Sequence, residues 1–292
     1  MVQSTHGSTL RRNGLILFHD VDGCLNPENG AALSYQADQL SQEATTSLNA
    51  LGRALDESPV DVFVLNTGRS WQASKHLCSA IGSSVVQYAL TEHATQLWNV
   101  ATGTRVDLGQ VVSSTGYEEM AAALQRVCIV EDLIQWFVAE GARKLAASIG
   151  AKTDIITSAD KTSNLTFSIP LDADGAAWMD ALKRLIEVDF GADTHAFNFH
   201  HSAPDGFVDV MPKVDKGMGL QLLQSMHRSD SFTSVAVGNG LNDLPMLEVA
   251  DLAVCPSNSE PAVVEYCQRK GYVSDRSFVG ATFGWLSGIA RR

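Results

Sequence analysis

The sequence predicts an α/β protein: a doubly wound, Rossmann-like parallel sheet interrupted by an inserted α/β cap. Three observations predict it. Short apolar runs alternate with stretches of helical periodicity, as in a parallel sheet covered on both faces. Three of those runs end in polar residues of unusual character: Asp20 and Asp22, then Asn66 to Arg69, then Gly238 to Asp243. From about Asn99 to residue 210 the rhythm gives way to a mixture of helices and strands large enough to form a small domain. The expected division is a core of residues 1–98 and 211–292 around a cap of residues 99–210.

Leu15 to Phe18 form the first buried strand, and Leu40, Ala44, Leu48, Leu51 and Leu55 place an amphipathic helix within 36–57, stopped by Pro59. Val60 to Leu65 make the second strand, followed by a helix over 70–81 with Ser70 as its N-cap. Ser84 to Leu90 make the third. Inside the cap, helices are predicted over 117–127, 132–148 and 176–188, and strands over 164–169 and 194–200. The strand-then-helix rhythm resumes at Phe207, with Lys216 opening a helix that carries Leu220, Leu222 and Leu223. Val235 to Val237 form a strand before the GNGLND loop, and Leu252–Cys255 and Val279–Gly288 are further short apolar stretches.

Composition narrows the function. With 33 Asp and Glu against 21 Lys and Arg, the net charge of −12 argues against a nucleic-acid partner, which needs clustered cations. Five scattered cysteines with no CxxC pair predict free thiols in a reducing compartment. Residues 1–13 lack the apolar segment of a leader or a membrane span, so the expected location is the cytoplasm. The oligomeric state is open.

Asp20 and Asp22 are one residue apart at the end of a buried strand, where an extended backbone points them the same way. Two carboxylates so placed repel each other and lose solvation, costs that a cation would offset. The stretch reads as a cation site with a carboxylate nucleophile. Asp-x-Asp-Gly is also ordinary turn chemistry, so the pair alone leaves both readings open.

The order DxDGxL (Asp20 to Leu25), TGR (Thr67 to Arg69), a lysine at a helix start (Lys216) and GxxxND (Gly238 to Asp243) resembles the haloacid dehalogenase superfamily of phosphohydrolases. The insertion resembles the α/β-cap subclass that includes sucrose-phosphate and mannosyl-phosphoglycerate phosphatases. The resemblance implies a phosphatase acting on a phosphorylated sugar or similar small metabolite, with Mg2+ as cofactor. It casts Asp20 as nucleophile, Asp22 as general acid and base, and Lys216 as the cation that neutralises the phosphoryl group. Thr67, Gly68 and Asn242 would bind phosphate. Asp20, the backbone carbonyl of Asp22, Asn239 and Asp243 would hold the metal, with Asn239 where the family usually has aspartate. Asn198, His200 and His201 of the last cap strand would touch the leaving group. Arg69 is open between a substrate contact and a structural salt bridge, and Glu92 and His93 between a hinge and a cap contact. A phosphosugar mutase or phosphotransferase, and a binding protein that no longer turns its ligand over, are the alternatives.

Overall fold

In the computed structural model, residues 14–34, 36, 39–150, 157, 160–202, 206–227 and 232–289 are described. Residues 1–13, read above as carrying no leader, lie outside them.

The chain begins with β1 (Gly14–His19), α1 (Gln42–Asp56), β2 (Val62–Asn66), α2 (Trp71–Ile81) and β3 (Val86–Thr91). Ser41, not a residue near 36, caps α1 by accepting from Ala44 N, and the helix starts there. Ser70 caps α2 by accepting from Ala73 N, as the sequence predicts. The stretch after β3, to which the sequence assigns no element, folds into an antiparallel hairpin of β4 (Gln96–Asn99) and β5 (Thr104–Val106) at the sheet edge.

Two short helices follow, α3 (Leu108–Thr115) and α4 (Glu118–Leu124). Next come α5 (Val127–Trp136), a π turn, and α6 (Ala142–Ser148). Then come β6 (Leu165–Ser168), α7 (Gly175–Leu185), β7 (Phe197–Ser202) and β8 (Phe207–Pro212). The chain closes with α8 (Lys216–Met226), β9 (Phe232–Val237), α9 (Leu244–Val249), β10 (Leu252–Cys255), α10 (Pro261–Lys270), β11 (Gly271–Val273) and α11 (Val279–Ile289).

Eight strands form one sheet in the order β11-β10-β9-β1-β2-β3-β4-β5, parallel from β11 to β3. Alternation along β1 sends Leu17 to one face, under α1, α2 and α11, and Ile16 and Phe18 to the other, under α3, α4, α8, α9 and α10. This is the doubly wound arrangement. Its strand order reverses on either side of β1, and the carboxyl ends of β1 and its neighbours β2 and β9 converge on one crevice.

A second sheet, β6-β8-β7, is antiparallel and carries its own core with α5, α6 and α7. Its limits differ from the expected 99–210 at both ends. Leu108, Val112, Met120 and Ala123 bury against the large sheet, so the separate core begins at α5. At the other end, Phe207 to Pro212, read as a resumption of the core rhythm, pair with β6 and β7. An alternating strand carries no label saying which sheet it joins. Among the described residues no helix is long and apolar enough to cross a membrane. All five cysteines are free thiols.

Candidate active site at the carboxyl edge of the sheet

Asp20 is the first residue past β1, and its backbone N–H continues the parallel ladder by donating to Val237 O at 3.0 Å. Lys216 is the first residue of α8, set by Asp215, whose carboxylate caps the helix through Met218 N at 2.9 Å. Asn66 Nδ2 donates to Lys216 O at 2.9 Å and pins that turn to the end of β2. The Lys216 ammonium donates to Asp20 Oδ1 and, at 2.5 Å, to Asp243 Oδ1. Asp243 Oδ2 accepts from the backbone of Asn239 at 2.8 Å and Gly240 at 2.9 Å, which locks the loop after β9.

All three charged groups are buried, Lys216 at 1%, Asp243 at 0% and Asp20 at 5% exposure, so the cluster holds two carboxylates and one ammonium away from water. Burial, with the Asp243 carboxylate beside it, pushes Asp20 up to about 7, against the pull of Lys216. Burial works against the charge of Lys216, yet Asp20 and Asp243 outweigh it and hold the ammonium above its usual range. The site is short of positive charge.

Asp22 departs from the pleat rule. The strand ends at His19, and residues 21–25 turn, with Leu25 N donating to Val21 O at 2.8 Å, so Asp22 does not share the direction of Asp20. Its carboxylate takes both Arg69 Nε at 2.9 Å and Arg69 Nη2 at 2.5 Å. Arg69 also donates to the carbonyls of Leu33 and Ser34, so the salt-bridge reading of this arginine is the observed one. Asp22 is 54% exposed in its side chain while Arg69 is 2% exposed.

Thr67 follows β2 and is buried, with its backbone donating to Leu90 O at 2.9 Å and its hydroxyl accepting from Arg69 N at 3.1 Å. Gly68 lies under the His93 ring, which a Cβ there would approach to 2.5 Å, so only glycine admits this contact. Asn242 is half-buried in the short turn Leu241–Asp243 beside Asp243.

Three oxygen donors are available to a cation: the carboxylates of Asp20 and Asp243 and the amide of Asn239. Asn239 Oδ1 accepts a weak hydrogen bond from the Cys24 thiol at 3.2 Å, and Gly23, at φ +83°, leaves room for the amide, which a Cβ would meet at 2.3 Å. No group of three His, Cys, Asp or Glu side chains is arranged to hold a metal among the described residues; the set here would be two carboxylates and an amide. Oxygen-only donors around a deficit of positive charge fit a hard divalent cation. Asp22, with both carboxylate oxygens on Arg69, does not offer its side chain to that set.

The cap residues divide by the pleat of β7. Phe197 and Phe199 point into the cap core, and His201 shares their side, against the start of α7, where a Cβ on Gly175 would meet its ring at 2.2 Å. His201 is therefore turned away from the core crevice, contrary to expectation. His200, on the other face, lies 3.9 Å from Asp209, and Asn198 Nδ2 donates to Val214 O at 3.4 Å. Sequence reasoning missed the polar group that His200 joins. Lys161 Nζ donates to Thr166 Oγ1 at 2.7 Å and Asp209 Oδ1 at 3.3 Å, and Thr166 also donates to Asp209. Burial works against the Asp209 charge, but Lys161, His200 and Thr166 hold it below the usual carboxylate range.

A family model described as haloacid dehalogenase-like hydrolase matches residues 143–273. A phosphoserine phosphatase of Haemophilus influenzae is 39% identical over 77 residues, which are 26% of this chain and 24% of that protein, so the chain aligns with about a quarter of that relative's length. Similar solved structures include a Thermoplasma acidophilum protein (TM-score 0.61, 16% identity, 95% of this chain and 99% of that one). The sucrose-phosphatase of Synechocystis in complex with sucrose and phosphate has a TM-score of 0.57 at 16% identity, covering 95% and 98%. A phosphatase of the haloalkanoate superfamily from Bacteroides thetaiotaomicron has a TM-score of 0.54 at 18% identity, covering 98% of each chain. At these identities the likeness is one of fold.

Proposed function

We propose that the chain, whose residues 143–273 match the haloacid dehalogenase-like hydrolase model, is a phosphatase of that kind that hydrolyses a phosphomonoester of a sugar or similar small metabolite at the Asp20 crevice. One observation carries this reading: Lys216 joins Asp20 and Asp243 in a buried cluster at the sheet edge, beside Thr67 and Gly68. A buried carboxylate held by an ammonium is a nucleophile already oriented, and the same ammonium meets charge that develops on a phosphoryl group.

Lys216 holds one oxygen of Asp20 and leaves the other to attack phosphorus, forming an O–P bond as the bond to the leaving oxygen breaks. Asp22 gives its proton to that oxygen, then takes one from the water that attacks the aspartyl-phosphate, releasing phosphate and restoring Asp20. To do so Asp22 turns away from Arg69, which keeps the Leu33 and Ser34 carbonyls as partners. Thr67 donates its hydroxyl to a phosphoryl oxygen. Asp20, Asp243 and Asn239 would hold magnesium, whose charge, when it is bound, helps neutralise and orient the phosphoryl group. The neutral balance of Lys161 and Asp209 under the cap, with His200, suits a leaving group rich in hydroxyls.

The test is phosphate release from a panel of sugar phosphates, phosphoserine and p-nitrophenyl phosphate, with and without magnesium and with candidate acceptors. Wild type should release phosphate only with magnesium, and Asp20→Asn should lose about 10⁵-fold or more in turnover, because an amide forms no phosphoenzyme. An active Asp20→Asn protein would remove the covalent route; release that needs an acceptor sugar would make the protein a phosphotransferase.

A further inference from the structure

The turn joining β3 to β4 is built against backbone preference. Glu92, His93 and Ala94 adopt φ of +49°, +57° and +69°, three consecutive left-handed residues without a glycine. Such a run persists only where surrounding contacts over-determine it. One set of contacts is with the phosphoryl loop. Glu92 N donates to Arg69 O at 2.9 Å, His93 N donates to Thr67 O at 3.0 Å, and the His93 ring covers Gly68.

The Glu92 side chain reaches the other way, into the segment that leads to β6. Its Oε2 accepts from Thr162 N at 3.0 Å, Ser163 N at 2.7 Å and Ser163 Oγ at 2.8 Å. Its Oε1 accepts from Gln96 Nε2 at 2.8 Å, and that amide also donates to Thr162 Oγ1 at 2.8 Å. Thr95 Oγ1 and Ser163 Oγ lie 2.5 Å apart, closing the junction. Glu92 is 1% exposed, and each of these described bonds comes from a neutral donor. A carboxylate suits this place because one oxygen must accept three hydrogen bonds and the other must also accept. The segment it holds, residues 161–164, carries Lys161, which bonds Asp209, and Asn164, whose Nδ2 lies 3.3 Å from the same carboxylate.

We propose that Glu92 is a positioning residue: one turn holds the phosphoryl loop by its backbone and the Lys161–Asp209 group by this carboxylate, setting the distance between phosphoryl binding and leaving-group binding. This rests on the phosphatase reading above. It assigns Glu92 a role in KM for substrates large enough to reach the cap, and none in the bond-breaking step.

Glu92→Gln keeps the shape but sets an amide N–H₂ against the Gln96 amide. For the sugar phosphate that wild type hydrolyses fastest, KM should rise about tenfold, equivalent to the loss of about 1.4 kcal/mol of binding, with kcat within about twofold. Turnover of p-nitrophenyl phosphate should stay within about twofold, since its flat leaving group makes little use of the cap. Amide hydrogen exchange at Thr162 and Ser163 should quicken while that of β1 and β2 does not. Ser163→Ala, which removes one of the three donors and spares the buried carboxylate, should give the same pattern at smaller amplitude and serves if Glu92→Gln does not fold. Equal losses on both substrates, a fall in kcat at unchanged KM, or unaltered exchange at Thr162 and Ser163 would overturn the assignment. A wild type inert toward every phosphate ester, with exchange at Thr162 and Ser163 still changed in the variant, would instead place the failure in the phosphatase reading.

Discussion

Two buried lysine–aspartate groups, one at the edge of the large sheet and one on the cap sheet, are built to different sums. In the core, one ammonium serves two carboxylates, Asp20 and Asp243. Under the cap, Lys161 meets one described carboxylate, Asp209, to which Thr166 and Asn164 add neutral donors, with His200 Nδ1 3.9 Å away. The first group is left negative and calls for another cation or for the transfer of charge to a substrate. The second is balanced and can be kept as it is while a neutral partner docks against it. Burial is common to both; the count of charges separates them, and on the proposed reading it assigns reaction to the first and recognition to the second.

Removing the lysine from the core group is the strongest way to test that difference. Lys216→Ala strands two carboxylates in a site without solvent, and breaking a buried pair in this way costs about 3–5 kcal/mol. Turnover should fall by about 10²–10³-fold as well, the usual loss when one preorganised charge partner of a transition state is removed. Urea unfolding and initial rates on the same preparations check both. Lys213, three residues earlier and exposed, should change stability by no more than about 0.5 kcal/mol when replaced by alanine. Activity lost on changing Lys213 alone would show that the core cluster is not the reactive one.

His93 lies between the groups, and its protonation couples them to pH. Burial lowers it to about 3, and the Lys161, Lys216 and His200 charges add to that against the opposing pull of Asp209. The folded protein thus keeps the ring neutral where the unfolded chain, at the ordinary 6.5, takes a proton. The stability so supplied is complete above pH 6.5 and is lost as pH falls from there toward 3. It amounts to at most about 5 kcal/mol, at about 1.4 kcal/mol per pH unit. Asparagine tolerates the left-handed backbone at this position. His93→Asn should therefore be less stable than wild type at pH 8, yet lose less on acidification. Unfolding curves of the two proteins that run parallel from pH 7 to 4 would contradict a neutral buried ring.

The core group was legible because each of its parts closes a strand or opens a helix within a short local string. An apolar run followed by DxDG, by NTGR or by GNGLND marks a strand end without any knowledge of the partner strand, and Lys216 follows a helix-capping aspartate. The cap group was not, since Lys161 and Asp209 are separated by 48 residues, one in the irregular segment before β6 and the other inside β8, with no local string that joins them. The direction of Asp22 was misread because the pleat argument assumes that the strand continues past His19, and the chain turns instead. For His201 a signal was available and unused: Phe197 and Phe199 mark the buried face of β7, and a period of two puts His201 on it. Asn66 and Glu92 are polar residues buried next to strand ends whose partners, Lys216 and Ser163, only the folded chain brings near.

The smallest expected effect bears on the charge count itself. Asn239 presents an amide where the resemblance calls for a carboxylate, so restoring the acid gives the core group a third negative charge within reach of the same cation. If Asn239 is a direct magnesium ligand, Asn239→Asp should reach half-maximal activity at about tenfold lower magnesium, since ligand charge sets affinity in oxygen sites. The rate at saturating metal should change less than the requirement. Without metal, the added charge has only Lys216 to meet it, so the variant should also be less stable than wild type in the presence of a chelator, and should recover on adding magnesium. A variant whose magnesium requirement equals or exceeds that of wild type would mean that the acid only crowds Asp20 and Asp243. The core group would then already hold all the negative charge that its cation can use, and the amide at position 239 would serve to limit that charge, not to ligate.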